Sequence, residues 1–391
     1  MFKFKEIEDI VEFSEIASFS FSVPYEEKDS LLKELSELQK SGEKFFGIFE
    51  NKKLISGLVL RDYTMKMRDN MVKMGGIAFV CSRNDSRGKR SIKFLMERTV
   101  EYMNKNDYIV SALYPFSLEF YRKYGWEMFQ NSKIFKISTG EIIKSKLNED
   151  YGYEEVSVIT EDIQDFYNKY AAKNHNFCLK SRQSWDNFMM FKWNSQINRG
   201  VIKFSHKDEI RGLILYSYSK NDKGKSIYTI YNFIYEDINT KKLMFNYLSS
   251  LSKQISEVYV FLPNDFVLWP HVNERYKTEE GLVSPMIRVI DLDKLNGLKT
   301  KGSDMNVNIE IEDKQAEWNN GIFNLKVIDG EIQITGAEEA DITMNIGTFS
   351  SIISGFTNIE EMLDSGKATI IDNYNGTDLE KYTTFLNEFF W

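Results

Sequence analysis

Between Ile77 and Met103 the chain must pass from strand to helix across a short basic loop. Ile77 to Cys81 is apolar and β-prone, whereas Ile92, Leu95, Met96, Thr99, Val100 and Met103 recur at the spacing of one buried helical face. Gly88 stands at the centre of the turn, beside Arg87, Lys89 and Arg90. A helix start leaves backbone N–H groups without partners and carries the positive end of the helix dipole, so it suits a phosphate. Glycine there lets the backbone approach an anion closely. The same pattern also serves as plain strand-loop-helix punctuation, which needs no ligand.

The next segment narrows the choice. A second apolar strand, Tyr108 to Leu113, leads into Tyr114-Pro115-Phe116-Ser117-Leu118-Glu119-Phe120-Tyr121-Arg122-Lys123-Tyr124-Gly125-Trp126. This series resembles the GNAT acetyltransferases. More narrowly, the runs Met74 to Ile77, Leu113 to Phe116 and Phe120 to Gly125 resemble the Eis (enhanced intracellular survival) family of N-acetyltransferases. The resemblance implies acetyl-CoA as cosubstrate, held by backbone groups of Ala78 and Val80 and by the loop residues Asp85, Ser86, Gly88, Lys89 and Arg90. It also implies that Tyr121 protonates the departing CoA sulfur, for which a phenol of pKa ~10 needs no large shift. Two residues depart from the GNAT loop: Asp85 stands where Arg or Gln is usual, and Arg90 replaces a second small residue. An Asp beside a pyrophosphate is unfavourable unless Arg87, Lys89 or Arg90 offsets it, so most of the phosphate contact is expected from backbone N–H groups.

With 391 residues, 42% hydrophobic and 14% aromatic, the chain can fill two or three cores. No apolar run approaches the ~20 residues that span a bilayer, and acids interrupt the opening residues up to Asp9, so a cytoplasmic protein with no membrane partner is expected. Cys81 and Cys178, the only cysteines, read as small buried residues of a reducing compartment. His175, His206 and His271 show no ligand-like spacing, so no metal is expected. Residues 301–391 hold 17 Asp or Glu against 5 Lys or Arg, a balance of −12 within a net −8, which leaves +4 for residues 1–300. That asymmetry argues against nucleic acid and suits either a cationic substrate or a solvated acidic surface.

Upstream of the loop, Leu31, Leu32, Leu35 and Leu38 form a helical stripe stopped by Gly42. Phe45 to Phe49 and Leu54 to Leu60 flank a polar turn and predict an antiparallel hairpin, with the next strand starting near Met71 after the turn at Arg68-Asp69-Asn70. From Tyr153 to Ile290 the order repeats, with helices at Asp162–Tyr170 and Thr240–Ser256 and strands at Val201–Ser205, Leu213–Ser219, Ile227–Tyr235 and Val258–Leu262. Its loop has no glycine and places Glu236 and Asp237 where phosphate would sit, predicting a second GNAT-like fold without cofactor. Past Asp291, alternation at Val307, Ile309 and Ile311, at Phe323, Leu325 and Val327, at Ile332 and Ile334, and at Ile342, Met344 and Ile346 predicts an antiparallel sheet with one dry face. Helices are expected at Phe349–Ser354, Ile359–Leu363 and Leu379–Phe389. Trp318 to Gly321 and the Thr348–Gly355 helix resemble the sterol-carrier-like module that ends Eis-like proteins. The expected fold class is thus mixed α+β: two tandem GNAT-like acetyltransferase folds, 1–150 catalytic and 151–290 degenerate, then an acidic sterol-carrier-like α/β domain at 291–391.

Acetyl transfer to an amine needs an ordered thioester, a group that keeps the amine neutral, and a proton for the leaving sulfur. No Ser-His-Asp signature, Cys–His pair or paired-carboxylate motif stands out, so direct attack in a ternary complex is expected over a covalent route. Phe21, Phe79 and Tyr114 are candidates to line an amine pocket or simply to pack the core. The chain end, Asn387-Glu388-Phe389-Phe390-Trp391, reads as the end of a docked helix, and the Eis resemblance implies that the α-carboxylate of Trp391 enters the active site beside Tyr121 as base or ammonium anchor. Closure of a hydrophobic core is the alternative for the same three aromatics. Three function classes stand: an N-acetyltransferase of aminoglycosides or polyamine-like molecules, a GNAT enzyme acting on protein lysines or N-termini, and a non-catalytic acyl-CoA-binding module. The Eis resemblance favours the first and implies a homo-oligomer, a hexamer.

Overall fold

A computed structural model describes the chain except residues 1, 87, 131–132, 148–149, 191–197, 221–225, 275, 281–283, 373 and 389–391. It opens with β1 (Lys3–Glu6), α1 (Ile10–Ser20) and α2 (Lys28–Lys40). The antiparallel strands β2 (Lys44–Glu50), β3 (Lys53–Met67) and β4 (Asn70–Ser82) come next, then α3 (Ser91–Lys105), β5 (Val110–Leu113), α4 (Leu118–Arg122) and β6 (Glu127–Met128). Asp9 starts α1 by accepting from the Val11 N–H at 2.9 Å. The periodic residues of α3, Leu95, Met96, Val100 and Met103, pack on Phe46, Leu58, Leu60, Ile77 and Trp126 to make the core of this sheet.

The chain then builds a second sheet from β7 (Lys133–Ser138), β8 (Tyr151–Val156), α5 (Glu161–Ala171), α6 (Arg182–Met190), β9 (Asn198–His206), β10 (Glu209–Lys220), β11 (Ser226–Tyr235), α7 (Ile238–Ser250), β12 (Glu257–Leu262) and β13 (Lys277–Glu280). Among the described residues its strand order is β13-β7-β12-β11-β10-β9-β8. Next, β14 (Met286–Val289) returns to the first sheet, giving the order β1-β2-β3-β4-β5-β14-β6. Sheet membership therefore changes between Met128 and Lys133 and again between Glu280 and Met286. By contacts the chain divides into one unit of residues 1–130, 175–178 and 284–391 and another of 131–174 and 179–283.

The last sheet belongs to the first unit and comprises β15 (Met305–Glu312), β16 (Gly321–Ile328), β17 (Glu331–Gly336), β18 (Ile342–Asn345) and β19 (Ala368–Ile370), with α8 (Ile346–Ile353) and α9 (Ile359–Asp364) between the last two. Its alternating residues Val307, Ile309, Ile311, Leu325, Val327, Ile332, Ile334, Ile342 and Met344 are all buried. Asn345 ends the strand pattern and begins α8, its side chain accepting from the Thr348 N–H at 2.9 Å, so Ile346 is helical and not a strand residue.

One predicted helix is absent. Residues 379–388 are not helical, and Phe389 lies outside the described residues. The backbone groups that a helix would pair internally are taken by other segments: Tyr382 N–H donates to Gly355 O at 2.8 Å, Leu386 N–H to Gln130 Oε1 at 2.5 Å, and the Tyr114 hydroxyl to Glu388 O at 2.9 Å. The Asn387 side chain accepts from Cys178 N–H at 2.7 Å and donates to Cys178 O at 3.1 Å. Long-range partners outweigh the local apolar spacing, and the β-branched pair Thr383 and Thr384 weakens the helix further.

Candidate active site

The parallel pairing of β4 and β5 runs from Met74 opposite Val110 to Ile77 opposite Leu113 and stops there. Beyond it β4 continues to Ser82 paired with β3 alone, so the Ala78 to Ser82 backbone edge on the β5 side is open within this ladder. A bulge falls at this point. Ala78 faces Val59 and Cys81 faces Gly57, so Phe79 and Val80 together oppose Leu58. Phe79 has φ +52°, the left-handed region that a bulky residue adopts only when its surroundings impose it. Its ring meets Phe21 edge-on at 5.7 Å.

After β4 the loop turns through Asn84–Ser86, and two residues with positive φ, Gly88 at +82° and Arg90 at +63°, bring the chain into α3. Among the described residues no side chain caps α3, and its N-cap residue Arg90 makes no cap bond. Its first amides are thus not taken by a side chain, the condition under which a helix start receives an anion. Ser86 is buried, with its N–H donating to Arg83 O at 3.1 Å. Asp85 is turned to Lys53 at 3.0 Å and Arg83 at 3.5 Å, and the hydrogen bond from Lys53 holds its carboxyl below the usual carboxylate range. The offset expected of Lys89 or Arg90 comes from Lys53 and Arg83 instead, and Lys89 pairs with Glu50 at 3.0 Å. Arg87 lies outside the described residues. A cleft of about 310 Å³ opens beside this loop, lined by Glu15, Ile16, Phe19, Ser82 and Arg83 among others.

The corresponding place in the second unit is closed by its own residues. Asp237 caps α7, accepting from the N–H groups of Asn239 and Thr240 at 2.8 Å each, so a carboxylate already satisfies the amides a phosphate would need. Past the last β11–β12 pair, Ile230 with Val260, Phe233 packs on Phe245 at 5.4 Å and Phe266 at 6.4 Å, and the Lys241 ammonium lies 4.3 Å from the Phe266 ring centre.

Tyr121 sits on α4, which Ser117 starts by accepting from the Phe120 N–H at 3.3 Å. Its ring is buried against Phe116 and Phe120, at 5.4 and 5.1 Å. Burial pushes the phenol above its ordinary pKa, and among the described residues nothing accepts from its hydroxyl. Tyr114, by contrast, is committed to Glu388 O. Sequence reasoning missed Arg61 and Glu43, a little-exposed pair at 3.2 Å; burial raises the Glu43 carboxyl while Arg61 pulls it down. Their one signal was a charged residue directly continuing the apolar run Leu54 to Leu60. Trp391 lies outside the described residues. Among those described, no three His, Cys, Asp or Glu side chains gather as a metal site, and no helix is long and apolar enough to cross a membrane.

Residues 3–129 match the family model of the acetyltransferase (GNAT) domain. The chain carries a GNAT acetyltransferase domain. It is accordingly an acyltransferase, and its residues 293–386 match the sterol carrier protein domain. A GCN5-related N-acetyltransferase from Anabaena variabilis is similar with a TM-score of 0.84 and 19% identity, covering 95% of this chain and 94% of that one. A conserved protein of unknown function from Enterococcus faecalis, described as a probable N-acyltransferase, gives 0.80 and 18% over 95% and 94%. Eis1 from Mycobacterium abscessus gives 0.75 and 14% over 95% and 94%, so the chain shares the Eis fold along nearly its whole length. No curated protein matches in sequence.

Proposed function

We propose that the chain transfers the acetyl group of acetyl-CoA to amines of small molecules carrying two or more amino groups, aminoglycosides first among them, by direct attack in a ternary complex. The observation that carries this reading is the parting of β4 from β5 beside an uncapped helix start, with a buried Tyr121 whose hydroxyl has no partner among the described residues. Backbone groups of Ala78 and Val80, the loop residues Ser86, Gly88, Lys89 and Arg90, and the first amides of α3 would hold the cosubstrate, while Asp85 keeps Lys53 and Arg83 in place. Acetyl-CoA supplies a thioester-activated acetyl group. Tyr121, kept protonated by burial, holds the proton needed at the departing sulfur. The α-carboxylate of Trp391 is assigned the amine side, as base or ammonium anchor, because the chain leading to it is docked on the acetyltransferase domain through Leu386 and Glu388.

In this reading residues 1–150 carry catalysis, 151–290 bind no cofactor and 291–391 are accessory, in a cytoplasmic hexamer. Release of free thiol from acetyl-CoA across a panel of aminoglycosides, polyamines and peptides tests the proposal. Turnover with the multi-amine compounds is expected. Turnover with peptides alone replaces the substrate assignment with protein acetylation, and absence of acetyl-CoA binding replaces both with a non-catalytic module.

A further inference from the structure

We infer that the sterol-carrier-like domain serves the reaction by fixing the helix that carries Tyr121, with Arg288 and Asp313 as positioning residues. This rests on the reading of Tyr121 as proton donor. Helix α4 has five residues, too few to hold its own conformation. Two ionic links that reach into the C-terminal domain grip the end of it.

The first is fully buried. Arg288 on β14 donates from Nη2 to Asp313 Oδ2 at 2.5 Å and from Nη1 to Tyr124 O at 2.6 Å, and its guanidinium lies 5.4 Å from the Trp126 ring centre. Between those two residues, Gly125 has φ +86°, and a Cβ there would fall 1.7 Å from Arg288 Nη1. Glycine is therefore required twice, by conformation and by the guanidinium beside it. The Tyr124 and Trp126 N–H groups in turn donate to Tyr121 O at 3.0 and 3.2 Å, so the turn that Arg288 clasps is the one that closes α4. Asp313 is itself immobilised, accepting from Gln315 N–H at 3.0 Å, Ala316 N–H at 3.2 Å and Asn319 Nδ2 at 3.0 Å.

The second link is Glu127, which accepts from Arg122 of α4 at 2.9 and 3.0 Å and from Lys367 of the C-terminal domain. Burying an ion pair is weak evidence for stability, since matched apolar residues often do as well. What apolar residues cannot do is aim: a guanidinium orients two acceptors at once through a rigid fork, here Asp313 of one domain and the Tyr124 carbonyl of the other.

The test uses the full-length chain with Arg288→Met and Asp313→Asn together, which removes both buried charges and leaves an amide oxygen to accept from the Gln315 and Ala316 N–H groups. Expected are retained cooperative unfolding, acetyl-CoA Kd and amine KM each within about twofold, and a kcat lower by roughly 10- to 100-fold, the scale of a small misplacement of a reacting group. Added to Tyr121→Phe, the same double change is expected to lower kcat by less than about twofold more, because both act on one proton transfer. An unchanged kcat overturns the inference. So does a kcat loss of equal size in both backgrounds, which leaves the proton-donor reading standing, whereas Tyr121→Phe with normal turnover removes that reading and this inference together. If the double variant does not fold, Arg288→Lys keeps the buried positive charge while removing the rigid fork that aims at two acceptors. A fall in kcat of about threefold or more at unaltered Kd is then expected, and an unchanged kcat overturns the inference again.

Discussion

Tyr121 combines a protonated phenol with a hydroxyl that no described residue engages, the state a general acid requires before its substrate arrives. Tyr121→Phe deletes the proton and keeps the ring packing against Phe116 and Phe120, so kcat is expected to fall by roughly 10²- to 10⁴-fold with acetyl-CoA binding retained, as steady-state kinetics and calorimetry on one preparation will show. A second residue-scale device lies at the β3–β4 turn. Arg68 is fully buried and reaches Ile352 O at 3.1 Å, Ile353 O at 2.9 Å and Thr300 Oγ1 at 2.7 Å, so its charge is met by carbonyls at the C-terminal end of α8. Burial lowers its pKa to about 10. His175 Nδ1 accepts from the Arg68 N–H at 2.8 Å, and its Nε2–H donates to Ser354 O at 2.5 Å, so the ring is neutral with the proton on Nε2. Burial lowers its pKa to about 4. The folded ring then stays neutral while the unfolded one titrates near the ordinary value of 6.5, so its stabilisation is complete above pH 6.5 and is lost as pH falls towards 4, up to ~3 kcal/mol in all. His175→Gln is expected to flatten that part of the stability profile. Denaturant unfolding of both proteins at pH 7 and pH 4.5 measures it, and an equal drop in both excludes the histidine.

Two helix starts explain why one unit is read as binding cofactor and the other not. The α3 start is reached through two left-handed residues and left without a side-chain cap, whereas α7 spends its amides on Asp237. One acetyl-CoA per chain is therefore expected in calorimetry. A Cβ at Gly88 meets nothing within 4 Å, so a substitution there acts through its φ of +82° alone. Gly88→Val is expected to re-route the loop and weaken acetyl-CoA about tenfold, since the left-handed conformation costs a non-glycine residue roughly 1–2 kcal/mol. Two molecules bound per chain, or unaltered affinity in Gly88→Val, counts against this assignment.

Across the whole molecule, the segment before the chain end is seated by Gln130 and Tyr114 and by Cys178 of the same unit. A short polar tail appended after Trp391 shifts the α-carboxylate and leaves every side chain in the sequence. A large fall in kcat with intact acetyl-CoA binding is expected, and unchanged turnover in the tailed enzyme removes the carboxylate from the reaction. Light scattering decides the hexamer, which a monomer contradicts. Local order was open to reading from the chain: the α3 stripe, the β2–β3 hairpin, the alternation of β15 to β18 and the Gly88 loop each arise from a periodicity or a turn residue that acts within a few positions. Hidden were the relations set by distant segments. Leu379 to Glu388 carries helical spacing yet is not helical, because Gln130, Cys178 and Tyr114 supply its hydrogen bonds. Arg68 and Arg288 look like ordinary surface cations, and only the folded chain buries them. Residue order was enough to place the α3 stripe, the β2–β3 hairpin and the loop that suits an anion, since those depend on neighbours in the chain. Folding in three dimensions was needed to say which charges are buried, what faces Tyr121 and where β14 returns, since these depend on partners far away in the chain.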